Sequence, residues 1–195
     1  MTLRQYLKKT RNFRKVLLLG SGAVGKTSIV KVLKEHKSLE DMKGSHIYHR
    51  TAFLELESVK TSELIDGCID DGVFQLWDLA GQSSLPVHAT RDIANTTLGS
   101  VDLVLLVFAS DNIQTLIEIV HWMTVVRNYY KACSIDKEPD YVLIRNKTDI
   151  ESTINQGLID HVLRNESQII DYFEISCMTG NGLDRFKEWL VNHFF

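Results

Sequence analysis

The chain holds Gly20-Ser21-Gly22-Ala23-Val24-Gly25-Lys26-Thr27 directly after the apolar run Val16-Leu17-Leu18-Leu19. This stretch matches the phosphate-loop pattern G-x-x-x-x-G-K-[ST], and helical spacing follows it. Glycines let the backbone curl so that its N–H groups surround phosphate oxygens, and the helix start adds a positive dipole end. Lys26 would place its charge between the β- and γ-phosphates. The strand and helix on either side disfavour a chance match, so the loop predicts a nucleoside triphosphate ligand without specifying its base.

The rest of the chain alternates strand-like and helix-like segments. Strands are predicted at 16–19, 51–59, 73–79, 101–109, 141–145 and 172–176, and helices at 27–37, 86–98, 115–131, 154–165 and 183–195. Helices between strands imply right-handed crossovers and a mostly parallel sheet with helices on both faces. The turn signal Asp70-Asp71-Gly72 makes a hairpin of 51–59 and 73–79. The predicted fold is a three-layer α/β domain with a mostly parallel six-stranded sheet and one antiparallel edge strand.

The composition indicates one soluble domain. The 195 residues are 44% hydrophobic and 24% charged, and the three scattered cysteines predict no disulfide framework, hence a reducing cytoplasm. The longest apolar run, 101–109, is too short to span a bilayer. No signal peptide is visible. We expect no lipidation either, because position 2 is Thr and the last four residues contain no Cys.

The first 15 residues are strongly basic. They contain six basic side chains and no acidic one, which leaves 16 basic against 25 acidic residues in the remainder, a net charge of −9 there. We predict a basic N-terminal arm at 1–12 and one domain at 13–195. Two interpretations of the arm stay open: it contacts an anionic surface such as membrane lipid, or it is a solvated leader or first helical turn. No nucleic-acid partner is expected.

A second motif, Asp78-Leu79-Ala80-Gly81-Gln82, directly follows the stretch Phe74-Gln75-Leu76-Trp77 of the strand predicted at 73–79. A carboxylate at a strand end beside a phosphate loop can hold Mg²⁺, to which Thr27 offers a hydroxyl oxygen. Gly81 lets a backbone N–H approach the γ-phosphate, and Gln82 can orient the attacking water. Alone, the motif is more typical of an ordinary turn. Its place after a phosphate loop favours the catalytic interpretation.

A third motif, Asn146-Lys147-Thr148-Asp149, follows the predicted strand Tyr141-Val142-Leu143-Ile144. An ionised carboxylate at Asp149 can accept from both N1–H and the 2-amino group of guanine, whereas adenine has an acceptor at N1 and no 2-amino group. Asn146 can brace the loop, and the Lys147 stem can lie flat on the base. In isolation such a stretch is typical of an exposed turn. After a phosphate loop it indicates guanine recognition.

Together these motifs resemble the Ras superfamily of small GTPases, over about residues 13–195. The resemblance implies a P-loop G domain, and the phosphate loop resembles the Rho and Rab form, with Gly22 leaving room for the glutamine and a GAP arginine. The family's fifth motif resembles Glu174-Ile175-Ser176-Cys177-Met178-Thr179-Gly180, which implies that the Cys177 amide contacts the guanine oxygen. Met178 departs from the usual lysine. The resemblance implies Gln82 as the catalytic residue and the nucleotide-binding residues Gly22, Ala23, Val24, Gly25, Lys26, Thr27, Ser28, Gly81, Asn146, Lys147, Asp149, Ser176, Cys177 and Met178.

The resemblance also implies a switch I threonine that completes the Mg²⁺ site. Thr51 is the candidate, and Thr27, Thr51 and Asp78 make up the predicted metal set. Thr51 and Asp78 lie 27 positions apart, which predicts a longer hairpin than in Ras and resembles the Roc GTPase domains of leucine-rich-repeat kinases. The alternative is that Thr51 is an ordinary β-branched strand residue.

The implied function is a GTP-binding molecular switch that hydrolyses GTP to GDP with Mg²⁺, slowly unless a GTPase-activating protein (GAP) assists. The implied ligands are Mg²⁺ with GTP or GDP, and the implied partners are effectors, GAPs and exchange factors. One alternative stays open: a non-hydrolysing, nucleotide-locked interaction module, which Met178 and the unusual switch regions favour. A small P-loop kinase is disfavoured, because it needs an arginine-rich lid and leaves N-K-x-D unexplained.

Overall fold

The computed structural model of the protein describes residues 12–42, 51, 54–69, 71–80 and 91–195, with the backbone alone for 91–93. Strands and helices alternate along these ranges. They are β1 (Phe13–Leu19), α1 (Lys26–Glu35), β2 (Leu54–Lys60), α2 (Thr61–Leu64), β3 (Val73–Leu79), α3 (Arg91–Leu98), β4 (Leu103–Ala109), α4 (Ile113–Ala132), β5 (Asp140–Asn146), α5 (Gln156–Asn165), β6 (Ile169–Glu174) and α6 (Leu183–Phe194). Apart from Asn12, the predicted arm at 1–12 lies outside the described residues, so the domain boundary stays a prediction.

The strands form one sheet in the order β2-β3-β1-β4-β5-β6. The β2–β3 pair is antiparallel, and the other neighbouring pairs are parallel. The central strand β4 is buried along its whole length, as expected for a strand covered on both faces. The predicted α/β fold, with six strands and one antiparallel edge strand, is confirmed.

Helices cover both faces of the sheet over two apolar clusters. Successive side chains of a strand point to opposite faces, so Val16 and Leu18 of β1 belong to one cluster and Leu17 and Leu19 to the other. The first cluster includes side chains of α1 and α6, and the second includes side chains of α4 and α5. Within the described ranges, no helix combines the length and the apolar character needed to cross a bilayer.

The parallel register brings the predicted motifs to one edge of the sheet. Leu18, near the end of β1, pairs with Asp78 of β3 on one side and with Leu105 of β4 on the other. Ala109 at the end of β4 pairs with Asn146 at the end of β5. The phosphate loop, Asp78 and the N-K-x-D loop therefore leave the sheet at the same carboxyl edge, where ligands bind in open α/β sheets.

The β2–β3 hairpin encloses a single helical turn, α2, which the sequence analysis missed. Thr61 at its start closes the loop: its N–H donates to the Gly72 carbonyl (2.9 Å), and its hydroxyl accepts from the Gly72 N–H (3.1 Å). Gly72 has no room for a side chain, because a Cβ there would lie 2.4 Å from the Phe195 ring. A turn of four residues is too short for helical periodicity to be visible.

Several predicted boundaries differ from the structure by a few residues, and two of these differences have a clear physical reason. The last strand covers Ile169–Glu174 instead of 172–176, because the buried residues after Glu174 form a loop in which the Ser176 N–H donates to the Asn181 carbonyl (2.9 Å). Their burial produced a strand-like apolar pattern without a strand. Helix α1 ends at Glu35 because His36 adopts a left-handed conformation, with φ at 55°.

Candidate functional site

The loop between β1 and α1 curls tightly ahead of the helix. Backbone φ is positive at Gly20 (147°), Ala23 (60°) and Gly25 (98°). Helix α1 begins at Lys26 with neither a side-chain cap nor an acidic residue in its first turn. The positive end of the helix dipole therefore faces the loop without a neighbouring carboxylate from the helix itself. A curled backbone in front of such a helix start suits anionic phosphate groups.

The Lys26 ammonium lies buried inside this loop. Its Nζ donates to the carbonyl oxygens of Gly20 (2.8 Å) and Ser21 (2.9 Å). Burial lowers the pKa of Lys26 to about 8, and the negative charge of Asp78 opposes that shift. The side chain therefore remains largely protonated at neutral pH, which places a cation in the phosphate loop.

Three side-chain oxygens from separate segments meet beside the loop. The Thr27 hydroxyl donates to Asp78 Oδ2, the Thr51 hydroxyl lies 3.2 Å from the same oxygen, and the two hydroxyls are 3.0 Å apart. Asp78 is only 1% exposed. Burial raises its pKa, while the hydrogen bond from Thr27 and the charge of Lys26 oppose the shift. Thr51, predicted from its place in the sequence, thus lies within this oxygen cluster.

The oxygen cluster of Thr27, Thr51 and Asp78 suits a hard divalent cation. Asp78 Oδ1 is buried and has no hydrogen-bond partner among the described residues, although an unpaired buried carboxylate oxygen is costly. Hydroxyl and carboxylate oxygens are the ligand type that Mg²⁺ prefers. The residues present therefore fit the predicted Mg²⁺ site, and their role as metal ligands stays a prediction.

Asn146 joins the phosphate loop to the two predicted base-binding motifs. It is 2% exposed, its Nδ2 donates to the Val24 carbonyl (2.9 Å), and its Oδ1 accepts from the Cys177 N–H (3.3 Å). Gly25 allows this close approach, since a Cβ at that position would lie 2.2 Å from Asn146 Nδ2. Asn146 therefore links the phosphate loop directly to the fifth motif.

Asp149 is held by the fifth motif. The Ser176 hydroxyl donates to Asp149 Oδ1 (2.5 Å) and accepts from the Thr179 N–H (3.1 Å). Ser176 is fully buried, whereas Asp149 is exposed. Burial raises the pKa of the Cys177 thiol to about 12, so this side chain is uncharged and packs as a small apolar residue. The Asp149 carboxylate is thus oriented by the Ser176 hydroxyl and is exposed to a ligand.

Lys147 of the N-K-x-D motif and Met178 of the fifth motif are the two remaining predicted base-binding residues. Lys147 adopts a left-handed backbone conformation (φ 63°), and its Nζ lies 3.1 Å from Asp111 Oδ2. Met178 is 45% exposed. Its carbonyl accepts from the Glu40 N–H (3.1 Å), so the fifth motif is also bonded to the segment that follows α1.

One contact of the phosphate loop escaped the sequence analysis. The Ser21 hydroxyl donates to a carboxylate oxygen of Glu118 on α4, and Gln114 Nε2 lies 3.5 Å from the other oxygen. The pair lies 97 positions apart in the chain, and only the packing of α4 against the sheet brings it together. Helix α4 carries several other polar residues, so nothing in its sequence singles out Glu118.

The predicted site residues that the structure describes gather at one edge of the sheet. Gly81 and Gln82 lie outside the described residues, so their placement stays a prediction. The structure brings Thr27, Thr51 and Asp78 into contact. Through Asn146 it also joins the phosphate loop to the loop at residues 147–153, which carries the rest of the N-K-x-D motif and is called the base loop below.

Comparison with known proteins agrees with this arrangement. A sequence model of the Ras family matches residues 15–194. The GTP-binding protein RHO2 of Saccharomyces cerevisiae is 27% identical over 185 residues, which cover 88% of this chain and 83% of RHO2. The Ras-related protein RABG1 of Arabidopsis thaliana is 29% identical over 171 residues (83% of this chain, 73% of RABG1), and the Ras-related protein Rab-27A of Homo sapiens is 27% identical over 184 residues (91% and 76%). The chain therefore belongs to the Ras family of small GTPase switches.

Proposed function

We propose that this protein binds GTP and GDP with Mg²⁺ and hydrolyses GTP slowly, with a GAP accelerating the reaction. The proposal rests on the two hydrogen bonds of the Asn146 side chain. This side chain bonds to Val24 in the phosphate loop and to Cys177 in the fifth motif. A phosphate-binding end and a base-reading end are thereby held at one spacing, as a nucleotide requires.

Guanine selection falls to Asp149. Its exposed carboxylate, held by the Ser176 hydroxyl at 2.5 Å, can accept from N1–H and the 2-amino group together. An adenine ring presents a lone pair at N1, which the carboxylate repels. The apolar stem of Lys147 would cover one face of the base, and Cys177 and Met178 would border its oxygen-bearing edge.

The phosphate end would hold the ion through Thr27, Thr51 and Asp78. A bound Mg²⁺ neutralises charge on the β- and γ-phosphate oxygens. Lys26 would bind the same phosphates from inside the loop, where its ammonium already bonds to carbonyl oxygens. Burial of Asp78 strengthens its interaction with a cation, because the local dielectric is low.

Slow turnover follows from what the motifs supply. Gln82 would orient the attacking water, but no sequence motif places an arginine to stabilise charge that grows in the transition state. Gly22 leaves space in the phosphate loop for an arginine supplied by a GAP. Effectors and exchange factors would complete the switch as further partners.

Two measurements on the purified chain test the proposal. Denaturation should release GDP or GTP, detected by ion-exchange chromatography; ADP or no nucleotide would contradict it. Single-turnover hydrolysis of GTP should require Mg²⁺. Bound GTP that persists unchanged with Mg²⁺ would favour the nucleotide-locked interaction module instead.

The basic arm supports a cytoplasmic protein with peripheral membrane contact. Residues 1–12 carry four basic side chains and no acidic one, ahead of a remainder with 18 basic and 25 acidic residues, a net charge of −7. Each basic group near an anionic lipid surface can contribute about 1 kcal/mol. Deleting residues 1–12 should reduce sedimentation with phosphatidylserine vesicles, and salt should do the same to the full chain. Equal binding of the full and shortened chains would contradict this part of the proposal.

A further inference from the structure

A buried polar network lies directly beneath the base loop. Ser110, the residue after β4, is fully buried. Its N–H and its hydroxyl both donate to the Asn146 carbonyl, at 3.0 and 3.1 Å. Its own carbonyl accepts from the Thr153 N–H at 2.9 Å. One residue therefore holds both the beginning and the end of the loop that carries Lys147 and Asp149.

Arg145 fixes the orientation of the Ser110 hydroxyl. The Arg145 Nε donates to Ser110 Oγ (2.9 Å), so the hydroxyl proton is left to point at the Asn146 carbonyl. The guanidinium also donates through Nη1 to Glu174 Oε1 (3.1 Å). The planar guanidinium presents its N–H groups in a fixed geometry, which a lysine cannot reproduce.

The β6 strand anchors this arrangement from the other side. Glu174 Oε1 also accepts from the Tyr172 hydroxyl at 2.7 Å. The Arg145 side chain is 13% exposed and that of Glu174 is 47% exposed, so the Arg145 end of the pair is shielded from solvent and the Glu174 end is open to it. A chain of bonds thus runs from β6 through Arg145 and Ser110 to the backbone of the base loop.

We infer that Arg145 and Ser110 are positioning residues for guanine selection, acting through the Asn146 carbonyl to hold Asp149 in its two-point contact with the base. The inference rests on the proposed function. Two hydrogen bonds to one carboxylate depend on its orientation more than a single bond does. Loosening the loop should therefore cost guanine more than hypoxanthine, which keeps N1–H but lacks the 2-amino group.

The test compares release of GDP and IDP from the full chain. Arg145→Ala and Ser110→Ala should each speed GDP release roughly 10-fold, the loss expected for a buried hydrogen bond to a charged group. IDP release should change less, so the GDP/IDP preference shrinks. The double variant should show less than the product of the two effects, since both act on one bond chain. Cleavage of saturating GTP in a single turnover should stay near the parent rate.

Arg127→Ala is the matched control. Arg127 makes the same kind of pair, with Glu166 at 2.5 Å and Gln168 at 2.6 Å, but none of its hydrogen bonds reaches the base loop. Loss of the Arg127 side chain should lower the melting temperature without changing the GDP/IDP preference. Arg145→Lys keeps the positive charge but not the planar guanidinium, so it should reduce the GDP/IDP preference less than Arg145→Ala does. It also replaces Arg145→Ala in the test if that variant does not fold.

The outcomes separate this inference from the proposed function. Equal acceleration of GDP and IDP release, or no acceleration in a folded variant, would show that the network is merely structural. A parent chain that binds neither nucleotide would overturn the proposed function and the inference with it. A smaller GDP/IDP preference in the Arg145 and Ser110 variants alone supports the inference.

Discussion

The base end and the phosphate end of the site are held by different physics. At the base end, Asn146, Ser176 and Asp149 are joined by hydrogen bonds between parts of the protein itself. At the phosphate end, Lys26 and Asp78 are buried ions whose pKa values burial shifts toward the neutral forms. The base end is held by hydrogen bonds within the protein, whereas the phosphate end holds charges whose burial cost a cation and phosphate groups would offset.

This difference implies a division of labour. A network that is complete within the protein fixes geometry, which is what selection of one base over another needs. Buried charges favour whatever compensates them, which is what an ion-assisted reaction needs. Changes at the base end should therefore alter which nucleotide binds, and changes at the phosphate end should alter what happens to it.

The largest expected effect is at the base end, in Asp149→Asn. The amide offers a donor where the carboxylate accepted, so GTP and GDP affinity should fall by up to about 10⁴-fold. Xanthine nucleotides should gain, because their 2-oxo group accepts from that amide. Equilibrium binding of fluorescent GDP and XDP measures both changes. The phosphate end is untouched, so XTP bound to the variant should be cleaved at about the parent's rate on GTP.

An unchanged GTP affinity would mean that Asp149 does not read the base. Ser176→Ala is a graded companion, because it removes the hydroxyl that orients the carboxylate but leaves the charge. It should weaken GDP binding on the order of 10-fold, the usual loss for one hydrogen bond to a charged group.

Gln82→Leu should have the opposite pattern: it should change hydrolysis at the phosphate end and leave nucleotide selection at the base end unchanged. The parent should hydrolyse GTP at roughly 10⁻⁴ to 10⁻² s⁻¹, the range for GTPases without a stabilising arginine in place from a GAP. Loss of the water-orienting amide should lower that rate by about 10²-fold, the scale for removing one preorganised hydrogen-bonding group from an active site. GTP and GDP affinities should not change. Single-turnover phosphate release measures the rate, and Gln156→Leu, an exposed glutamine on α5, is the control. Hydrolysis at the parent rate would remove Gln82 from its proposed role.

Thr51→Val probes the oxygen cluster with a smaller effect. Valine keeps the shape and removes the hydroxyl that lies 3.2 Å from Asp78 Oδ2. The Mg²⁺ concentration for half-maximal hydrolysis should rise about 10-fold, the scale of one lost polar contact. GDP affinity without Mg²⁺ should stay the same, because the base end is intact. Thr124→Val on α4, where the hydroxyl only bonds to a helix carbonyl, should leave the Mg²⁺ dependence alone.

How far the sequence could predict the molecule follows the same division. Strand and helix order was predictable because each element carries its own apolar pattern, as in the fully buried β4. Asn146 and Asp149 could be proposed as site residues from the sequence because their spacing within one motif is local, and their roles stay predictions. The strand boundary at Glu174 was wrong, because the buried loop after it carries apolar residues as a strand does.

What escaped prediction depends on tertiary packing. Ser21 and Glu118 are 97 positions apart, and Arg145 and Ser110 are 35 apart. Neither pair has a spacing that local chemistry requires. Arg145 has the appearance of an ordinary polar residue at the end of a strand, and its partners appear only when β4, β5 and β6 are aligned. The supporting layer of the base end was therefore invisible in the sequence, although the residues it supports were not.

Lys15 is a buried cation that belongs to neither end of the site. Its Nζ donates to the carbonyls of Thr96 (2.6 Å) and Gly99 (3.0 Å) and lies 3.7 Å from the centre of the Trp77 ring. These are protein groups, as at the base end, around a buried charge, as at the phosphate end. Saturating GDP should therefore raise the melting temperature of the parent and of Lys15→Met by the same amount.

The smallest expected effect is the pH dependence that Lys15 adds to stability. Burial lowers its pKa from 10.5 to about 8, and the charge of Asp102 opposes the shift. Between about pH 8 and pH 10 the unfolded chain therefore binds more protons than the folded one, so stability rises with pH in that window. The melting temperature of the parent minus that of Lys15→Met should increase by a few degrees (about 2–4 °C for each kcal/mol in a domain of this size) from about pH 7.5 to pH 9.5. The scan stops there because above about pH 10 the lysine of the unfolded chain also loses its proton, so the difference between the two melting temperatures levels off. A difference that narrows with rising pH would show that the two carbonyls and the indole outweigh burial, and that this cation is fully compensated by the protein.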